Sequence, residues 1–446
     1  MKKSLLAVAA MGAFASAAQA QSSVTVYGIL DMGYIGSNSR DVAAGTAPGI
    51  GGSPTAVTKV QKSALGASAE QTNRLGFKGV EDLGGGSSAF FTVELGLQPQ
   101  NGNLSGTDPA DRLQNTSQGG GSAIDNRQSF LGLKKNGLGQ FAFGRQYTPI
   151  FNAGAATDPG QYNNIVGNVI YSSGSVYASN QTTSSGVNNN IGFTNRASNA
   201  LTLKSDSFAG FTASAMYAMN NANRTEGGTT QTSLTQGNNN WGGWGVGADF
   251  TWQKLYVTAA YQSFAQNISG TIAPSGTGDF NLNGAGPNAS QIATTQTTTT
   301  SQLSDKQTYV GATYDFGILK AYAQWVGRKV QQNSGTATLI DTGAAIVPGS
   351  QVNRTAEQIG VRSYVTPAIE VWASGGMGSV KGPLQASQDP GSVHFTAYQL
   401  GSNYYLSKRT NLYAIYGQTQ SSSSTAGTAG SGNSANQYAL GLRHTF

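Results

Sequence analysis

The 446-residue chain contains no cysteine, which excludes a disulfide scaffold, a thiolate nucleophile and a Cys-ligated zinc site. Only two histidines are present as candidate bases: His444 alternates with Leu442 and Phe446 on the apolar face near the strand end, and His394 has no acid-and-serine signature around it. Charge is scarce. Asp, Glu, Lys and Arg make up 10% of the chain, and the basic residues are scattered one or two to a segment, not gathered in the stripe that a nucleic-acid partner requires. Beyond the first 20 residues no apolar run approaches the roughly 20 needed for a membrane helix. The G-x-S-x-G, H-E-x-x-H and P-loop spacings are also missing, so composition and motifs both turn away from catalysis.

What the chain has instead is glycine, with 61 residues, and tyrosine, with 19, a composition that favours short strands and turns over helices. It opens with Lys2 and Lys3, a short apolar run and the small-residue site Ala18-Gln19-Ala20. That pattern reads as a secretory signal peptide over 1–20, leaving 21–446 as a single unit. Losing Lys2 and Lys3 lowers the formal charge from +6 to +4.

From there the chain falls into segments of period-2 polarity. In VTVYGILDMGY, Val24, Val26, Leu30, Met32 and Tyr34 share one face and Thr25, Tyr27 and Asp31 the other. RLGFKGVEDL and AFFTVELGL form a hairpin around Gly84-Gly85-Gly86, with Arg74, Lys78 and Glu94 on the polar face. In 241–252, Trp244, Val246, Ala248, Phe250 and Trp252 oppose a face bearing Asp249. The pattern recurs to the last segment, NQYALGLRHTF, for sixteen strands in all. Short turns alternate with long polar loops, chiefly 36–73, 219–240, 265–305 and 419–435. An even number of amphipathic strands with loops of unequal length at the two ends is the signature of a transmembrane antiparallel β-barrel, and sixteen tilted strands enclose a lumen too wide for side chains to fill.

The stretches SSVTVYGILDMGY, NRLGFKGVEDLGGG, RQSFLGLKKNGLGQFAFGRQYTP and YALGLRHTF resemble the general diffusion porins of the Gram-negative outer membrane, in the form common in beta-proteobacteria. The resemblance implies a homotrimer of water-filled barrels in the cell outer membrane. It implies contact with outer-membrane lipid and lipopolysaccharide, passage of ions and small hydrophilic solutes, and no cofactor. It also implies that the third external loop, here 146–195, folds into the lumen. Phe446 would then serve as the signal read by the outer-membrane insertion machinery.

The same resemblance places a constriction at Arg74, Arg127 and Arg145, facing Asp158, the one acidic residue in 146–195. The residues themselves support this unevenly. Arg74 alternates inward. Arg127 has the parity of Ser129 but also of Leu131 and Leu133, so its direction stays open. Arg145 shares parity with Phe141 and Phe143 and faces outward unless the strand bends. Asp31, Lys78, Glu94, Asp249, Lys320, Arg362 and Arg443 are further lumen residues, while Tyr27, Tyr34, Trp252, Tyr309, Trp325 and Phe446 are expected at the interface girdles or the seam. The expected function is a passive diffusion channel with a mild anion preference. A substrate-specific sugar or organic-anion channel and a barrel with adhesive loops are the alternatives.

Overall fold

The computed structural model describes residues 23–43, 56–100, 125–171, 196–224, 236–272, 297–334, 337–338, 345–346, 349, 351–383, 390–424 and 432–446; the expected leader, 1–20, lies outside them. The strands in chain order are β1 (Ser23–Ala43), β2 (Ala56–Ala67), β3 (Arg74–Gly84), β4 (Ser87–Gly96), β5 (Asp125–Lys135), β6 (Gly139–Tyr147), β7 (Arg196–Ser205), β8 (Phe211–Arg224), β9 (Gln236–Trp252) and β10 (Leu255–Ile272). They continue as β11 (Thr297–Asp315), β12 (Lys320–Ser334), the two-residue pair β13 (Ala337–Thr338) and β14 (Ala345–Ile346), β15 (Gln351–Thr366), β16 (Ile369–Pro383), β17 (Pro390–Tyr405), β18 (Thr410–Ser424) and β19 (Gly432–Thr445). One helix, α1 (Pro149–Thr157), follows β6.

Sequential strands pair antiparallel, and β1 closes the ring on β19 with Ile29 opposite Thr445 and Val42 opposite Gly432. Lipid offers no hydrogen-bond partner, so closure is what satisfies the two edges that an open sheet would leave. Seventeen strands fill sixteen places, because β2 and β3 share one: β3 pairs with the Ser23–Ile29 half of β1 and β2 with the Met32–Ala43 half. Both ends of the described chain, Ser23 and Phe446, lie at the rim that carries the tight turns. At one such turn Gly84, Gly85 and Gly86 all have positive φ, a run that residues with a Cβ do not sustain.

Within the expected loop over 36–73, residues 36–43 and 56–67 are therefore strand, as are the described ends of 219–240, 265–305 and 419–435. These extensions rise past the lipid, where neither face must be apolar, so they carry no period-2 signal. The segment QKSALGA of β2 shows this, with polar and apolar residues on both faces.

Within the lipid band the usual inside and outside are exchanged. Val24, Val26, Met32, Phe143, Val246, Trp252, Leu440 and Leu442 point outward and are exposed, whereas Gln262, Gln307, Gln358, Gln399 and Gln437 are fully buried on the lumen side. Tyr34 and Tyr438, with ring centroids 6.1 Å apart, and Tyr398 and Tyr416, at 6.0 Å, form part of one outward girdle. Two residues expected in that girdle do not belong to it. The Tyr27 hydroxyl donates to Glu94 Oε2 at 3.1 Å, and Tyr309 is wholly buried, its hydroxyl accepting from Gln324 Nε2 at 2.8 Å. Each shares parity with lumen residues of its own strand, and the hydroxyl finds a partner there. Replacing the outward Val246 by Arg is expected to cost roughly 2–4 kcal/mol, read as a shift in the urea folding titration into vesicles; no loss would invert the face assignment.

Candidate pore constriction

The chain leaves β6 through Thr148-Pro149. Thr148 caps α1, its Oγ1 accepting from Phe151 N at 3.3 Å, and Pro149 sits in the first turn, where its missing N–H has no consequence. The helix and the following 158–171 lie inside the barrel, buried against its wall. α1 packs along β8 to β12. Its last residue, Thr157, meets the Tyr309 hydroxyl and closes over Gly311, where an added Cβ would lie 2.6 Å from Thr157 Oγ1.

Beyond the helix, lumen amides take over the loop's backbone. Gln358 Oε1 accepts from Val169 N at 3.2 Å and Gln437 Oε1 from Val166 N at 3.0 Å. Gln399 Nε2 donates to the carbonyls of Ile165 at 2.6 Å and Val166 at 3.0 Å, and Arg354 donates to those of Val169 and Ile170. The path ends at the β2–β3 connection, where Asn164 N donates to Ala69 O at 2.9 Å. Irregular backbone buried in a barrel must have such partners, and each is worth about 1 kcal/mol net. At Gly417 a side chain would collide with the Val166 carbonyl, so the close approach itself requires glycine.

The described loop thus follows the wall from β8 round to β19 and the β2–β3 connection. The wall from β3 to β7 carries a cluster of cations. Glu94 is its centre: Oε1 accepts from Arg127 Nε at 2.7 Å, and Arg74 Nη1 stands 3.8 Å from Oε2. Arg127 Nη2 donates to the Tyr147 hydroxyl at 2.9 Å; Tyr147 stacks on Phe151 at 3.8 Å and lies under the Arg196 guanidinium at 5.1 Å. Lys78 Nζ lies 5.3 Å from the Tyr27 ring centroid. Among the described residues two arginines, Arg74 and Arg127, therefore share the Glu94 carboxylate, while Lys78 and Arg196 lie against the aromatic faces of Tyr27 and Tyr147.

Two of the expected constriction residues sit elsewhere. Arg145 is opposite Ser129, on the face of Phe143 and Leu131, and is held by Asn126 O at 2.8 Å and Ser198 Oγ at 2.7 Å. The irregularity at Gly144, with φ +135°, does not turn it inward: Gln146 takes the lumen side, donating to Ala142 O. Asp158 is in the loop, but its carboxylate is enclosed and not aimed at the arginines. It accepts from Tyr162 N at 2.7 Å, Asn168 Nδ2 at 2.8 Å and Gln358 Nε2 at 3.3 Å, and so pins the turn whose residues Gln161 and Tyr162 are left-handed. By contrast, Arg127 is turned inward by a bulge, since Glu94 pairs with Gln128 and Leu95 with Asn126, leaving Arg127 as the extra residue. Arg196, which the sequence pattern did not single out, is the first residue after 146–195 and opens β7.

The remaining lumen residues mostly fix the scaffold. Asp31 accepts from Glu70 N at 2.8 Å, Gln71 N at 2.7 Å and the Tyr413 hydroxyl at 2.6 Å, tying down the β2–β3 connection. Arg443 pairs with Glu70 at 3.4 Å. Arg362 bonds Glu370 and the Pro159 carbonyl, Asp249 accepts from Tyr256 at 2.9 Å and Thr258 at 2.6 Å, and Lys320 Nζ lies 5.4 Å from the Tyr322 ring.

A closed sixteen-place barrel with a loop bonded along part of its inner wall defines a transmembrane channel-type β-barrel. Residues 7–424 match the family described as Gram-negative porin, and the chain belongs to that family. It is an outer-membrane β-barrel protein. It is 37% identical to an outer membrane porin protein of Bordetella pertussis over 148 residues, 33% of this chain and 34% of that protein, so the aligned stretch spans about a third of the relative. Among solved structures it resembles the anion-selective porin from Comamonas acidovorans, with 19% identity, TM-score 0.56 and coverage of 96% of this chain and 100% of that one. It also resembles the trimer form of OmpT from Vibrio cholerae, with 12% identity, TM-score 0.55 and coverage of 95% and 99%.

Burial in the loop pushes the Asp158 carboxyl up to about 6, against the lowering effects of the Tyr162 N–H, Asn168 and Arg362. The folded state therefore holds this proton more tightly than the unfolded chain, whose carboxyl titrates near 4. The group's contribution to stability falls as pH rises from about 4 to 6. In urea titrations the stability of the native protein relative to Asp158→Asn should drop over that window, by no more than about 3 kcal/mol. A difference that grows with pH would contradict the enclosure of the carboxyl.

Proposed function

We propose that the protein is a passive diffusion channel for ions and small hydrophilic solutes, with a mild preference for anions, and that it works as a homotrimer. The observation that carries this reading is the group of four cations on the β3–β7 wall, Arg74 and Arg127 at the Glu94 carboxylate and Lys78 and Arg196 at the Tyr27 and Tyr147 rings, across from the bonded loop. A patch of one sign in a narrow, water-filled passage sorts ions by sign. The likeness to the anion-selective Comamonas porin supports the preference, and the likeness to the trimer form of OmpT supports the assembly.

A channel role also suits what the histidines do. His444 lies near the short-turn rim with Nδ1 2.9 Å from Thr410 Oγ1, and His394 is exposed on the outer wall, so neither is placed to activate a nucleophile in the lumen. For insertion, the end of the chain is held in register, Phe446 N donating to Gly28 O at 3.2 Å, with its ring packed over Gly28; this is the surface we assign to the insertion machinery.

The test is a reversal potential in a planar bilayer under a salt gradient. The native protein should favour anions, the preference should shrink as ionic strength rises, and Arg74→Ser should lower it. Because its carboxyl is enclosed, Asp158→Asn should change it less than Arg74→Ser does. Cation preference in the native protein would overturn the reading.

A further inference from the structure

On the outer wall, away from the lumen, a rung of lysines has no part in conduction. Lys306 and Lys329 stand directly opposite each other across β11 and β12, and the rung continues through Asn353 to Lys381 and Ser392. All three lysines are exposed. They face outward, since Lys329 shares parity with the exposed Trp325, Lys306 with Val310 and Lys381 with Met377. Like charges at directly opposed positions destabilise a sheet. Among the described residues no carboxylate lies within 4.0 Å of any of the three. A counter-anion from outside the chain would remove that cost.

The level of the rung says what the anion is. Trp325 lies four residues nearer the short-turn rim than Lys329, about 13 Å along the strand, and belongs with the outward aromatics that mark a membrane interface. Lysines that far beyond such a residue reach the headgroup layer. Directly below the rung the outer wall has a hollow bordered by Trp325, Glu357, Met377, Ser379, His394 and Thr396. Its partly apolar floor suits the start of an acyl chain. Glu357 sits at the level of Trp325 and Met377, four residues below Asn353, which excludes phosphate from the hollow and, among the described residues, leaves the lysine rung without negative charge at its own level.

We infer that Lys306, Lys329 and Lys381 bind the phosphate groups of an anionic lipid of the outer leaflet, whose apolar part enters the hollow beneath them. The site is independent of the lumen and of the ion preference assigned above.

The test uses the folded full-length protein in detergent, titrated with diphosphorylated lipid A and with its dephosphorylated form and followed by native mass spectrometry. The triple variant Lys306→Gln, Lys329→Gln, Lys381→Gln should bind the phosphorylated lipid on the order of 100-fold more weakly, as each lysine near an anionic surface contributes about fivefold. The double variant Lys204→Gln, Lys254→Gln at the opposite rim should bind like the native protein, and retained heat-modifiability on gels shows that both variants fold. Equal binding of the dephosphorylated lipid, or undiminished affinity in the triple variant, would overturn the inference. Inorganic phosphate binding that depends on the three lysines as strongly as the lipid does would reduce the site to a free-anion patch and overturn it as well. So would a changed subunit count in the triple variant with lipid affinity intact, since the rung would then be a subunit contact.

Discussion

Everything in this molecule depends on the absence of hydrogen-bond partners in lipid. A sheet in that medium cannot keep an edge, so β1 must meet β19, and a sheet closed with sixteen places is too wide for its own side chains to fill. The apolar faces consequently turn outward and the polar faces enclose the lumen. Buried glutamines, costly in an ordinary core, become useful here. They present free donors and acceptors to any chain that enters, and 148–171 uses them.

The loop's attachment then makes the lumen asymmetric. Amides and Arg354 hold its backbone along the wall, and the enclosed carboxyl of Asp158 fixes its turn. On the other side Arg74 and Arg127 meet Glu94, with Lys78 and Arg196 against the Tyr27 and Tyr147 rings. That carboxylate limits the repulsion between Arg74 and Arg127, and among the described residues of this wall the cations outnumber it. The outward lysine rung shows the same logic in reverse, with no carboxylate at its own level among the described residues.

How much of this was legible depended on whether period-2 alternation applied. It put Arg74, Lys78 and Glu94 on one face, where Arg74 lies 3.8 Å from Glu94, and Val246 on the opposite, exposed face of its strand. It also assigned Arg145 outward, as the structure does, where family resemblance had argued for the constriction. Alternation could not decide Arg127, because the bulge that turns it inward arises from the pairing of two strands and leaves no mark on either alone. It could not reveal β2, whose two faces are both wet. Thr148-Pro149 carries a helix-start pattern, a capping hydroxyl followed by proline, and Arg196 lies one residue beyond the stretch 146–195 that the resemblance pointed to. Tyr27 and Tyr309 have inward parity, and their hydroxyls find polar partners in the lumen, which overrides the interface preference of an aromatic ring.

The central claim is that the loop is already bonded to the wall in the open channel and that solutes pass on the side of the arginines. Since the chain has no cysteine, a Thr157→Cys, Gly311→Cys pair gives a single engineered disulfide at a contact close enough for a Cβ at Gly311 to lie 2.6 Å from Thr157 Oγ1. Single-channel conductance of this variant should be the same before and after oxidation. A large fall on oxidation, or a pair that fails to oxidise in the folded protein, would mean that the loop occupies another position when the channel conducts.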